Sequence, residues 1–402
     1  MFIGGFFLLL LSPACPPPRP ADHANARPST PGPATEVERR TWLMVEDRCL
    51  VELGDPCSWS DELAQGARAL AELVGRSGED VLRRESVVRA ELQRAGVGHP
   101  NAMAAAMFHS TPAPSDQELE AFVDGIAWPF AARAFGIAEA PGGAAEVPGS
   151  LTPAAGMILV VGTEPLVELT PLPRWLPQEA TINYDGRVLF LAESLEVLLA
   201  DPSGSIRHGP VVLDDEVGFD GTVHIGPEPG RWVFELVAQD ETMGPRVVYL
   251  LPIDLSLEPP PEVGVESAGG PETTEPAAAE SVMADMVRGY RAERGLADLE
   301  RDATLDRVAR AHADDMAEND FFGHVSPTRG DLDNRLRTGG VASPRAAENL
   351  AVGPSAEAAF ASLLESPAHR ANFLDPDFTR FGLAAAARGD SLLFAVELAA
   401  GR

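Results

Sequence analysis

The chain has 402 residues, too many for one ordinary core, which predicts two or three domains. It carries 61 acidic against 31 basic residues, a formal charge of −30, so neither nucleic acid nor an anionic bilayer is an attractive partner. Every basic residue is arginine, which excludes a Schiff-base lysine, a P-loop lysine and a Ser-Lys dyad.

Residues 1–15 read as an export signal, with an apolar run at 2–11 that is far shorter than the ~20 residues a membrane span needs. Ala14 directly before Cys15 follows the pattern of a bacterial lipobox, although no basic residue precedes the run and Leu11 sits one place early. Lipidation of Cys15 would then be the chain's one membrane attachment. Residues 16–38 form a Pro-rich segment expected to be a disordered stalk. Cys49 and Cys57 flank the turn-prone Gly54-Asp55-Pro56 and are expected to form a disulfide, which requires an oxidising compartment.

From 39 to 140 the pattern predicts a helical region of unassigned role. Leu63, Ala67, Leu70, Leu73 and Val74 recur every three or four positions, and Val81, Val88 and Leu92 continue until Gly96 and Gly98. A further helix is predicted over 116–135, with Leu119, Phe122, Ile126 and Phe130 on one face. His99 and His109 read as ordinary histidines rather than ligands.

Residues 141–155 read as a Gly/Pro/Ala linker, after which the period changes to two. The runs 157–161, 194–199, 231–237 and 246–251 are rich in branched and aromatic residues, with turn clusters at 184–186, 201–204 and 227–230. They predict a β-sandwich over 156–256, similar to the immunoglobulin-like accessory domains of surface proteins, an analogy that carries no specific function. Residues 257–278 form an acidic Pro/Gly linker.

The last domain is expected at 279–402. A helix with Val282, Met286 and Tyr290 on one face ends at Gly295, and a second presents Leu305, Val308, Ala309, His312 and Met316 together. His312 thus points inward and reads as a core histidine, outside any site. The segment Phe321-Phe322-Gly323-His324-Val325-Ser326-Pro327 follows, then a short helix stopped by Gly339-Gly340. Ala347-Glu348-Asn349-Leu350-Ala351 reads as a loop. Ser355 caps a helix that reaches Glu365, with Glu357 in its first turn. Ser366-Pro367-Ala368-His369-Arg370-Ala371-Asn372-Phe373-Leu374 comes next, and two strands at 382–387 and 392–398 close the chain.

These landmarks, in this order, resemble the successive motifs of the bacterial branch of the CAP superfamily, the SCP-like extracellular domains. The resemblance implies an α-β-α sandwich with a cleft lined by two histidines and two acids. His324, Glu348 and His369 match three of those positions, and Glu365 is the candidate for the second acid. Leu363 stands where a tryptophan is usual and Ala368 where a glycine is usual. The whole chain is thus expected to be an α+β multidomain protein: a helical region, an immunoglobulin-like sandwich and a CAP-like domain.

The residue chemistry leaves two uses open. Two imidazoles and a carboxylate can bind Zn²⁺ with an open position for water, or form a buried hydrogen-bond network. Ser326 and Ser366 lie near the histidines, but neither sits in a G-x-S-x-G elbow, and no cysteine falls in this domain. The expectation is an extracytoplasmic binding module for a lipid, a sterol or a protein, with Phe321, Phe322 and Phe373 as groove candidates. The alternative is a metal-assisted hydrolase of peptide or cell-wall material using His324, Glu348 and His369.

Overall fold

The computed structural model describes residues 32–111, 113–126, 132–146, 153–214, 217–258, 273–389 and 391–401. The export signal, Cys15, most of the stalk and the middle of the 257–278 linker lie outside them.

The N-terminal unit is not the helical region its periodicity suggests. In chain order it contains α1 (Glu36–Leu53), β1 (Ser58–Trp59), α2 (Asp61–Ser77), α3 (Glu85–Ala95), β2 (Met103–His109), α4 (Asp116–Gly125), β3 (Ala134–Pro141) and β4 (Gly156–Thr163). The strands form one sheet in the order β1-β3-β4-β2. The alanines of β2 suit a helix locally, but pairing from Met103↔Gly162 to His109↔Gly156 overrides that preference. The expected 116–135 helix stops at Gly125, its Phe130 lies outside the described residues, and Phe135 and Ile137 are buried strand residues instead. Run 157–161 belongs to this sheet rather than to the sandwich, and the expected linker at 141–155 is the β3–β4 connection. Gly136 is required where α2 crosses β3, since a Cβ there would lie 1.9 Å from the Ala64 backbone nitrogen.

Thr35 and Glu38 close a capping box at the start of α1. The Cys49–Cys57 disulfide ties the end of α1 to the start of β1. His109 bonds Thr111 O at 2.7 Å, and His99 stacks edge-on against Tyr249.

The second unit comprises β5 (Val167–Leu169), β6 (Trp175–Leu176), β7 (Ala180–Val188), β8 (Ala192–Ala200), β9 (Ile206–Gly209), β10 (Val211–Leu213), β11 (Gly218–Ile225), β12 (Gly230–Asp240) and β13 (Gly244–Leu255). Sheets β10-β11-β7-β5 and β6-β13-β12-β8-β9 share one core, with Ile182, Tyr184 and Phe219 meeting Trp232, Phe234 and Leu251. A two-sheet sandwich was expected, but it begins after β4 rather than at 156.

The third unit has α5 (Pro276–Ala292), β14 (Glu300–Arg301), α6 (Ala303–Glu318), α7 (Leu332–Thr338), β15 (Ala346–Gly353), α8 (Ala356–Glu365), α9 (Pro367–Leu374), β16 (Phe378–Arg388) and β17 (Ser391–Ala400). The sheet order is β14-β16-β17-β15. Phe394, Val396 and Leu398 meet α5, α8 and Phe373 of α9, whereas Leu393 and Ala395 meet α6 and Ala399 packs with residues of α6 and α7. Strand alternation thus divides the helices between two faces and produces three α-β-α layers. The segment expected as a loop at 347–351 is strand β15.

Candidate functional site

The site begins with how α6 ends. Asp302 caps its first turn through Thr304 N and Leu305 N. One turn before its end, Asp315 accepts from Ser326 Oγ and, at 2.7 Å, from Thr328 Oγ1. Reciprocal backbone bonds between Ser326 and Gly330 close the loop behind them. The loop therefore has little freedom, and His324 projects from it toward β15.

Glu348 on β15 is the hub. Its Oε1 lies 2.8 Å from His324 Nδ1, and its Oε2 accepts from Arg335 Nη2 of α7. Arg335 Nη1 also donates to His324 O at 2.7 Å and Gly330 O at 2.9 Å, so one guanidinium holds both the acid and the loop. Burial alone would push the Glu348 carboxyl up. Arg335, with His324 and His312, outweighs it and holds Glu348 well below the usual carboxylate range.

His312, expected to sit apart, joins this hub. It is fully buried, bonds Gly323 O at 3.1 Å and has Nε2 3.8 Å from Glu348 Oε2. Burial pulls its pKa down to about 4, so it is neutral at physiological pH.

Sequence reading missed Glu397. It stands directly opposite Glu348 in the β15–β17 register, and both of its carboxyl oxygens are buried without an ordinary donor among the described residues. Burial, then repulsion from Glu348, raises its pKa well above the usual value. A protonated Glu397 beside an ionised Glu348 is the consequence. The available signal was a single carboxylate near the end of the apolar run 392–398.

His369 lies in the first turn of α9. Ser366 caps that helix, and Asn349 Nδ2 donates to His369 O at 2.9 Å. The residue is partly exposed, but its Nδ1 is shut away without a partner, and burial, then the nearby His324, pulls its pKa down to about 3. No hydrogen bond joins it to His324 or Glu348 among the described residues.

Glu365, expected as the second acid from its nearness to His369 in sequence, faces α3 instead. Its partners include Gln93 Nε2 at 3.5 Å and Arg89 Nη1 at 3.8 Å. The extended backbone of Ser366 separates α8 from α9 and turns the two side chains apart.

Ser326 is committed to Asp315, and Ser366 donates to Glu235 of the sandwich, so neither hydroxyl faces a histidine base. Phe373 is fully buried in the core and Phe321 packs on the α6 face of the sheet, which leaves Phe322, 38% exposed, as the accessible member of the expected aromatic groove. A surface cavity of about 1030 Å³ lies beside α7, lined by Asp331, Asn334, Arg337 and Ser343 among others. His324, Glu348 and His369 do not line it.

Residues 284–396 match the CAP family, described as the cysteine-rich secretory protein family, so the third unit of this chain is a CAP domain. The chain is 33% identical over 105 residues to the uncharacterized protein YkwD of Bacillus subtilis, a match spanning 26% of this chain and 41% of the relative. It is 39% identical over 108 residues to the uncharacterized membrane protein YlbC of the same organism, spanning 26% and 30%. The matches therefore span less than half the length of these curated relatives. Among solved structures, an extracellular protein containing an SCP domain from Bacillus anthracis is 20% identical, with 56% of this chain and 67% of that one covered at a TM-score of 0.30. An outer surface protein from Borrelia burgdorferi is 21% identical, with 31% and 94% covered and a TM-score of 0.30.

Proposed function

We propose that this is an exported cell-envelope protein whose CAP domain is a non-catalytic binding module for a protein partner. The observation that carries the reading is the closure of Glu348 by Arg335 and His324. A carboxylate with both oxygens engaged braces the loop and strand around it, and it is not free to activate water.

Protein is favoured over lipid or sterol because Phe373 is in the core and Phe321 packs on the α6 face, which removes the aromatic groove an apolar ligand needs. The Cys49–Cys57 pair supports an oxidising, extracytoplasmic location, and among the described residues no helix is long and apolar enough to cross a membrane. Attachment through Cys15 and an accessory role for the immunoglobulin-like sandwich belong to the same reading.

The metal-assisted alternative fits less well. Zn²⁺ at His324, Glu348 and His369 would have to displace the Arg335 guanidinium or share a carboxylate with it, and like charges repel. Among the described residues, no group of three or more His, Cys, Asp or Glu side chains is arranged to hold a metal ion.

The test is a photo-cross-linking residue at Phe322 in the full chain, expressed in its host. The expected result is a discrete protein adduct, reduced when Arg335→Gln loosens the loop. A lipid adduct, or peptide or glycan hydrolysis abolished by the His324→Ala, His369→Ala double variant, would overturn the reading.

A further inference from the structure

The CAP site is braced from outside its own domain. Glu235 lies in β12 of the sandwich, on the side of the strand opposite Trp232, Phe234 and Leu236, which enter the sandwich core. Its carboxylate is fully buried and reaches the start of α9, where Oε1 accepts from Ser366 Oγ and Oε2 accepts from Ala368 N at 2.8 Å. A helix's first turn presents unpaired N–H groups, and here a neighbouring domain supplies the acceptor. The residue after Ala368 is His369, so the brace is one position from the imidazole.

A second contact reaches the other histidine. The turn 240–244, between β12 and β13, is built on Asp240, whose Oδ1 accepts from Thr242 N, Thr242 Oγ1 and Met243 N. This fixed turn extends Met243 O to Val325 N at 3.1 Å. Gly244 has φ +83°, and a Cβ there would lie 3.0 Å from His324 Cβ. On the CAP side, a Cβ at Gly323 would lie 2.7 Å from Met243 Cε. Glycine on both sides is what allows so close an approach. On the outer face of the same sheet, Ala200, Val233 and Leu250 are buried together.

We infer that the binding site is built by two domains: Glu235 is a positioning residue for His369, and the turn 240–244 positions His324. The sandwich is therefore part of the site and not a spacer. A partner engaging this face meets the β12–β13 turn together with the CAP loop. The inference uses the proposed function only to name these histidines as the site; its test needs no partner, so the two fail separately.

The experiment uses the full chain with labelled histidines, their imidazole NMR signals assigned by His→Gln variants, and hydrogen exchange read by peptide. Glu235→Ala is expected to displace the His369 signals and to speed exchange across α9 by about tenfold, leaving His208 and His312 unmoved. Gly244→Ala is expected to displace His324 and leave His369. Unchanged His369 signals and α9 exchange in a folded Glu235→Ala chain overturn the inference, as does a displacement shared equally by every histidine. Should Glu235→Ala prevent folding, Gly244→Ala decides: an unmoved His324 overturns the inference.

Discussion

Glu348 and Glu397 face each other across neighbouring antiparallel strands, both buried, and the shared environment keeps one ionised and the other protonated. Two carboxylates cannot both ionise there, and Arg335 decides which does, because its guanidinium lies on Glu348.

The pair predicts an unusual pH dependence. Glu397 has a folded pKa above its unfolded value near 4.5, so the folded state holds a proton the unfolded state releases. Its contribution is full below that value and is lost as pH rises. Glu397→Gln, which stays neutral and can still donate to Glu348, is expected to fold normally and to flatten the decline of melting temperature above pH 4.5. Scanning calorimetry of both proteins between pH 4 and 8 checks this, and a steeper decline in the variant refutes it.

Arg335 is predicted to be the most sensitive residue of the site. Arg335→Gln leaves Glu348 buried without its cation and frees the His324 and Gly330 carbonyls, costing about 3–5 kcal/mol. His324→Ala, whose side chain is 19% exposed, should cost only about 1–2 kcal/mol. Denaturant unfolding of the two variants measures the difference.

The junction between sandwich and CAP domain should loosen as pH rises. Burial raises the Glu235 carboxyl to about 7 against the bonds from Ser366 and Ala368, with Arg370 opposing the rise and Glu196 adding to it. Because the docked state binds the extra proton, docking is strongest below about 4.5, the unfolded value, and weakens through 7. Exchange across α9 should therefore be slower at pH 5 than at pH 8 after correction for intrinsic rates. Glu235→Gln should remove that difference.

Loss of the disulfide should act on the N-terminal unit. Cys49 and Cys57 are eight residues apart, so the loop they close is short, and a Cys49→Ala, Cys57→Ala variant is expected to lose about 2–3 kcal/mol. Because the pair joins α1 to β1, faster exchange is expected there and not in α9 or β17.

Much of the CAP domain was legible in advance. Its helices carry clear periodicity, and the segments around His324, Glu348 and His369 are separate motifs. Glu365 misled because closeness in sequence to His369 does not survive the change of direction at Ser366. The N-terminal unit was the least legible, since the alanines of β2 carry a helical preference that only pairing with β4 overrides.

What the sequence determined by itself was therefore local: the helix faces and caps of the last domain, the cysteine pair and the motif segments that match the CAP family. These follow from side-chain periodicity and from bonds that span a few residues. The tertiary structure decided the rest, namely which strands share a sheet, that Glu397 meets Glu348, and that Glu235 reaches α9 from 131 residues away. Register and domain docking depend on closing long stretches of chain around buried surface, and no local pattern encodes which distant group will meet which.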